Sequence, residues 1–324
     1  MYIVDAHCDA PTQMYRGRDF GKDTPGVQVD FPKMLRGGIS GSFFALYIPA
    51  RLSNEEATAY AFAQLEELKR QVAANSDKVA FAVDRESMLA NASKGLASIF
   101  LGLENGSALL GREGVLQELY SEGVRYVTLC HSEDNDICDS CTGKGRWGGL
   151  SPLGRKLVGE MNSLGMVIDV AHTSNDTVRD VLDLSVKPIA YTHGCCSELC
   201  SHKRNLPDDL IARISSGGGV VCMSIYPCFL SDDYADFDDD NPDGRAMPEM
   251  EKVLDHMEHA VAVAGVEGVG FGTDYEGINH TAKGLESIEN LPLLLAGLQK
   301  HGFSTADVAK MASENLLRMI SAQR

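Results

Sequence analysis

The chain contains no run approaching the roughly 20 apolar residues needed to cross a bilayer. Its first residues read as a strand, not as a charged segment followed by an apolar one, so no membrane partner is expected. Positive charge is also scarce: 29 Lys and Arg face 46 Asp and Glu, a formal net charge of −17 at pH 7. That field repels phosphate backbones, which sets nucleic acid aside as a partner. No Pro-, Gly- or Ser-rich linker and no internal repeat divides the sequence, so residues 1–324 are expected to form one domain. No serine elbow, phosphate loop or dinucleotide fingerprint stands in a strand-and-helix context, which ranks hydride and phosphoryl transfer low. Nine cysteines are an odd number for a disulfide framework, and without an export signal they read as reduced thiols in a cytoplasmic protein.

What the chain does have is alternation. Hydrophobic residues at 44% and charged residues at 23% indicate a soluble globular fold. Eight short apolar, β-branched runs recur: Tyr2–Val4, Ser42–Ile48, Ala97–Leu103, Val124–Cys130, Met166–Ala171, Pro188–Thr192, Gly219–Ile225 and Gly268–Thr273. Between them lie helical patterns at Asn54–Ala74, capped by Ser53, and at Gly114–Glu122, Pro152–Leu164, Asp176–Leu184, Pro207–Ser215 and Pro248–Ala264. This is the sequence form of an α/β fold, a (β/α)8 TIM-type barrel. A ninth run, Val79–Val83, is expected outside the barrel, and two closing helices, Ile288–Lys300 and Ser304–Ser321, on its exterior. The segment "DDYADFDDDNPD" from Asp232 to Asp243 reads as a solvated acidic loop, with a calcium loop as the sharper alternative.

In such barrels chemistry gathers at the carboxyl ends of the strands. The first run leads into "VDAHCDAP", where Asp5, His7 and Asp9 alternate and are expected to share one face. The third run ends in Glu104, the fourth in His131, the fifth in His172, the sixth in His193 and the eighth in Asp274. Imidazoles and carboxylates crowded at one rim cost desolvation unless a cation balances them, and a divalent metal supplies that balance. His172 with His193, and His7 with Asp9, divide into two half-sites that share Glu104. Two-metal clusters of this kind sit about 3.5–4 Å apart and hold a water between them. Imidazole with carboxylate favours zinc, while manganese, cobalt and iron fit the same ligand types. A single metal on His172, His193 and His7 is the simpler competitor. A structural zinc on Cys138, Cys141, Cys195, Cys196 and Cys200 is a separate rival.

The motifs "DAHCDAP", "GLENG", "YVTLCHSEDN", "IDVAHTS", "THGCCSELCSHKRNLPDD" and "GFGTDYEG", in this order over nearly the whole chain, resemble the membrane or renal dipeptidases. These are metallopeptidases within the amidohydrolase barrels. The resemblance implies metal ligation by His7, Asp9, Glu104, His172 and His193, with Glu104 bridging two divalent ions. It implies that His131 contacts the scissile carbonyl and that Arg204 holds the substrate carboxylate. Asp274 is then near the attacking water and the substrate amine, placed to take a proton from the water and deliver it to the leaving group. The implied activity is hydrolysis of dipeptides, a D-residue at the second position included. Amidohydrolysis of lactams, N-acyl amino acids or cyclic amides is the alternative, and a metal-binding barrel without catalysis is a third. The sequence departs from the family pattern at Ala6 and Cys8, where glycine and asparagine are frequent, and at Gly194–Cys196, which replaces a serine-rich turn. Both departures put substrate preference in doubt. With neither secretory leader nor lipid-anchor tail recognised, a soluble intracellular relative is expected, with a homodimer as the prior for a barrel.

Overall fold

Short apolar runs become parallel strands here because both of their faces find apolar neighbours, other strands inward and helices outward. The computed structural model describes residues 1–323. Its strands are β1 (Val4–Cys8), β2 (Gly41–Tyr47), β3 (Val79–Phe81), β4 (Ala97–Glu104), β5 (Val124–Thr128), β6 (Val167–Asp169), β7 (Ala190–Gly194), β8 (Val220–Met223) and β9 (Val269–Phe271). They pair in the order β1-β2-β4-β5-β6-β7-β8-β9, every pair parallel. These are the eight runs read from the sequence, and the fold is a TIM-type α/β barrel. Val79–Phe81 is a strand as well. It lies off the circuit of eight but inside the same sheet, paired with Ala97–Ile99 of β4, whose later residues turn to β5. Among the described residues no helix is long and apolar enough to cross a membrane.

Two features set where side chains point. The seam between β9 and β1 is closed by Asp9 N–H donating to Tyr275 O (2.8 Å) and Asp274 N–H to His7 O (3.1 Å). The buried Asp5 carboxylate completes it, accepting from Thr273 N–H and Thr273 Oγ1, both at 2.9 Å, and from Ser42 Oγ at 3.1 Å. Second, the pairing slips by one residue within β1, between Asp5 and Cys8, and within β7, between Tyr191 and Gly194. An extra residue in a strand breaks the strict two-residue alternation and re-aims the side chains beyond it. Asp5, His7 and Asp9 therefore do not share one face as expected. Asp5 staples the seam, while the slip turns His7 toward the interior.

The barrel interior is apolar at its lower end. Val4, Ala6, Phe43, Phe100, Tyr126, Val167, Ala190, Val220 and Cys222 form one buried cluster there. Leu316, Leu317, Met319 and Ile320 of the final helix, Asn315–Ser321, belong to that same cluster. The end of the chain thus plugs the bottom of the barrel, which corrects the expectation that both closing helices lie outside. Helix Leu291–Lys300 does pack outside, against Glu251–Ala264. The long helix Asn54–Ala74 starts as expected, with Ser53 Oγ accepting from Glu56 N–H and the Glu56 carboxylate from Ser53 N–H. The acidic segment is largely exposed, and its carboxylates turn to protein partners: Asp236 and Asp243 share Arg245, and Asp239 accepts from Asn279 N–H at 2.7 Å. They do not converge as calcium ligands would.

Candidate metal centre

Each candidate ligand owes its place to a local irregularity. His7 and His193 sit in the slipped stretches of β1 and β7, and their rings lie 3.8 Å apart between centroids, tilted by 34°. Glu104 is the last residue of β4, inward like Phe100 and Gly102 by alternation. Asp9 precedes helix Ala10–Tyr15 but makes no capping bond, although aspartate is a preferred cap. His172 and Asp274 adopt left-handed backbone, with φ of 67° and 68°, and Asn105 and Glu276 at the same rim do likewise. Four strained non-glycine residues gathered at one rim are characteristic of a functional site.

The geometry divides around Glu104. Its Oε2 lies 3.6 Å from His7 Nε2, whereas its Oε1 lies 2.9 Å from His172 Nε2 and 3.5 Å from His193 Nε2. His7 Nε2 is in turn 3.8 Å from Asp9 Oδ1 and 3.9 Å from Asp274 Oδ1. The two oxygens of one carboxylate thus face two sets of donors. Three overlapping groups of candidate ligands result: His7, Glu104 and His193; Glu104, His131 and His172; His7, Asp9 and Asp274. None contains a cysteine, so among the described residues the rival cysteine site is not assembled.

Burial governs the electrostatics. It pushes the Glu104 carboxyl up to about 8 and Asp274 to about 7, and raises Asp9 well above the carboxylate range, the Glu104 charge adding to it. It drives His172 and His193 well below the usual imidazole range and His131 down to about 3, with the Arg204 charge reinforcing all three. Left to themselves, these carboxylates hold protons and these imidazoles are neutral. A divalent cation reverses the first tendency and exploits the second, because it binds deprotonated carboxylate and neutral imidazole. His7 Nε2 and Asp9 Oδ1 are buried without any hydrogen-bond partner. Orphaned polar atoms of this kind, facing one another, fit a metal ion.

The remaining expected residues lie close by in different ways. A cavity of about 400 Å³ opens in front of the cluster, and His131, Asp274, Tyr47, Gln13 and Arg16 line it with Glu104 and His172. Arg204 is not on that wall. It is buried behind His193, its Nη2 donating to His193 O at 2.9 Å while Nε and Nη1 have no partner. Sequence reading missed the supports: Tyr126, whose hydroxyl is 2.8 Å from His7 Nδ1, and Asp169 with Thr192, behind His193. Gly102 makes room for the first, since a Cβ there would sit 2.2 Å from Tyr126 Cζ.

The whole chain, residues 1–324, matches the family model described as membrane dipeptidase, peptidase family M19. The chain belongs to the membrane dipeptidase family. Among its curated relatives is the dipeptidase aclJ of Aspergillus oryzae, 32% identical over 316 residues, covering 95% of this chain and 72% of that protein. Another is the dipeptidase verJ of Clonostachys rogersoniana, 31% identical over 338 residues, covering 99% and 84%. Among solved structures, a metallo peptidase from Rhodobacter sphaeroides, liganded with a phosphinate mimic of the dipeptide L-Ala-D-Ala, superposes with a TM-score of 0.90. It is 23% identical and covers 100% of this chain and 99% of its own. The probable dipeptidase PvdM from Pseudomonas aeruginosa reaches a TM-score of 0.91 at 23% identity, covering 100% and 95%. These structures share the barrel fold of this chain.

Proposed function

We propose that the chain is a metal-dependent dipeptidase, with two divalent ions, zinc by ligand type, held by His7, Asp9, Glu104, His172 and His193. The observation that carries this is the Glu104 carboxylate, one of whose oxygens faces His7 while the other faces His172 and His193. When bound, such a metal pair supplies Lewis acidity and a water whose pKa falls to about 7. Asp274, at the last strand's end and 3.9 Å from His7 Nε2, takes the proton of the attacking water and returns it to the leaving amine. His131, neutral and on the cavity wall, donates to the oxygen that gains charge. Losing one such donor costs about 2.7–4 kcal/mol of barrier. Arg204, buried behind His193 with Nε and Nη1 unpartnered, is the cation proposed for the substrate carboxylate once its side chain turns to the cavity, and a site for a free carboxylate favours very short peptides.

The names of the curated relatives support the activity, and the mimic held by the Rhodobacter sphaeroides peptidase supports including a D-residue at the second position. Nine free thiols suit a reducing compartment, and a cytoplasmic location is part of the proposal. The test is a dipeptide panel with L- and D-residues at the second position, run with chelator and again after zinc is restored. Cleavage that disappears with chelator and returns with zinc is expected. Two equivalents of zinc bound with no dipeptide cleaved would overturn the activity and leave a metal-binding barrel.

A further inference from the structure

Behind His193 lies a buried aspartate that touches no candidate ligand directly. Asp169, the last residue of β6, accepts four hydrogen bonds. Oδ1 takes Ala171 N–H at 3.1 Å and Thr192 N–H at 2.9 Å; Oδ2 takes Thr128 Oγ1 at 2.5 Å and Thr192 Oγ1 at 2.7 Å. A hydroxyl has one hydrogen. Since Thr192 gives its hydrogen to Asp169, its oxygen is left as an acceptor, and that oxygen lies 2.9 Å from His193 Nδ1. The ring must then carry its proton on Nδ1, leaving a lone pair on Nε2. Nε2 is the atom that faces Glu104 Oε1 and His172 Nε2.

We propose that Asp169, acting through the Thr192 hydroxyl, is a positioning residue that fixes the His193 tautomer and so holds the His172/His193 half-site ready for a metal. The proposal rests on reading His193 as a metal ligand. A purely structural clamp is the rival, and the fold contains one for comparison. Asp5 likewise accepts from a threonine amide, a threonine hydroxyl and a serine hydroxyl across a strand seam. No ring stands behind those hydroxyls, so Asp5 stitches strands and nothing more. At Asp169 the same stitch continues into an imidazole. Supports of this kind set ligand orientation, and their loss typically weakens metal binding by about 10- to 100-fold.

The direction of the relay makes it testable. Thr192→Val removes the hydroxyl but keeps the amide bond to Asp169, and Thr192→Ser restores the hydroxyl. Asp169→Asn reverses the relay: its amide nitrogen donates to Thr192, whose hydrogen then turns to His193 Nδ1 and drives the ring proton to Nε2. Zinc titration of the full chain should show one equivalent weakened about 10- to 100-fold in Thr192→Val, the other unmoved, and recovery in Thr192→Ser. Nitrogen-15 spectra of the metal-free full chain, with His193 assigned by its loss in His193→Gln, should show the proton on Nδ1. Asp169→Asn should move it to Nε2. Wild-type zinc affinities in Thr192→Val, or a wild-type ring protonated on Nε2, would overturn the relay. A wild-type chain that takes up no zinc would sink the metal-centre reading instead, and the tautomer measurement, made without metal, still decides the relay.

Discussion

The two ends of this barrel are built on opposite principles. At the lower end, Phe43, Phe100, Val167 and Val220 meet Leu316, Leu317, Met319 and Ile320 from the last helix, and nothing polar is left without a partner in that cluster. At the upper end, two buried carboxylates, the half-buried Asp274 and four imidazoles crowd together, two of their atoms lack partners, and the backbone is forced into left-handed geometry. The lower end is where the fold is stabilised; at the upper end, stability is given up for a cation. This division makes the effects of mutation separable. Glu104→Ala should abolish tight metal binding and lower kcat/KM by about 10³-fold or more, since metal assistance is worth several kcal/mol. The same change should leave the metal-free chain no less stable in a denaturant titration, because it removes an acid that burial holds protonated, its pKa pushed up to about 8 despite the Arg204 charge nearby.

Leu317→Ala should do the reverse. Leu317 is 1% exposed within the plug, and truncating such a side chain costs about 2–5 kcal/mol of stability. Steady-state kinetics on the folded fraction should be unchanged. If Leu317→Ala instead altered kcat/KM, the two ends would be coupled and the comparison would fail. Between the extremes stands Arg204→Met. A hydrogen bond to a charged group contributes about 1.5–3 kcal/mol, so kcat/KM for dipeptides should fall by about 10- to 100-fold. Metal content, read by elemental analysis, should stay at the wild-type level, and unchanged kinetics would remove Arg204 from the site.

The same contrast explains what could be read from the sequence. The eight strands were legible because parallel strands buried on both faces leave apolar runs, and the rim was legible because His and Glu interrupt those runs at their ends. The slips in β1 and β7 were not. A one-residue shift depends on what the neighbouring strand does, and no local pattern records it. His7 and His193 were singled out by their place near strand ends, while Asp5, read onto one face with His7 and Asp9, turns to the seam instead. The plug was hidden because Asn315–Ser321 has the amphipathic look of any outer helix. Helices Ala10–Tyr15 and Phe31–Arg36 are under two turns and show no period. Asp169 did leave a signal: an ionisable residue inside the apolar run Met166–Ala171, whose side-chain partners Thr128 and Thr192 come from the neighbouring strands.

His256 shows why histidine alone does not make a site. It is as buried as His7 or His193, yet both its ring nitrogens are satisfied by backbone. Nδ1 accepts from Cys196 N–H at 3.2 Å, and Nε2 lies 3.1 Å from Leu230 O. That pairing requires a neutral ring, because a proton on Nδ1 would face the amide hydrogen of Cys196. Burial accordingly pushes its pKa down to about 4. The unfolded chain, with an ordinary imidazole near 6.5, binds the proton first as pH falls. Stability should therefore decline from about pH 6.5 to about pH 4, by at most about 1.4 kcal/mol per pH unit from this residue. His256→Gln, whose amide can accept from Cys196 and donate to Leu230 without titrating, should flatten that segment of the stability profile in urea titrations of the metal-free chain. Kinetics at pH 7 should not move. A profile as steep as wild type would mean that the acid sensitivity arises elsewhere, the buried rim histidines His172 and His193 first among the candidates.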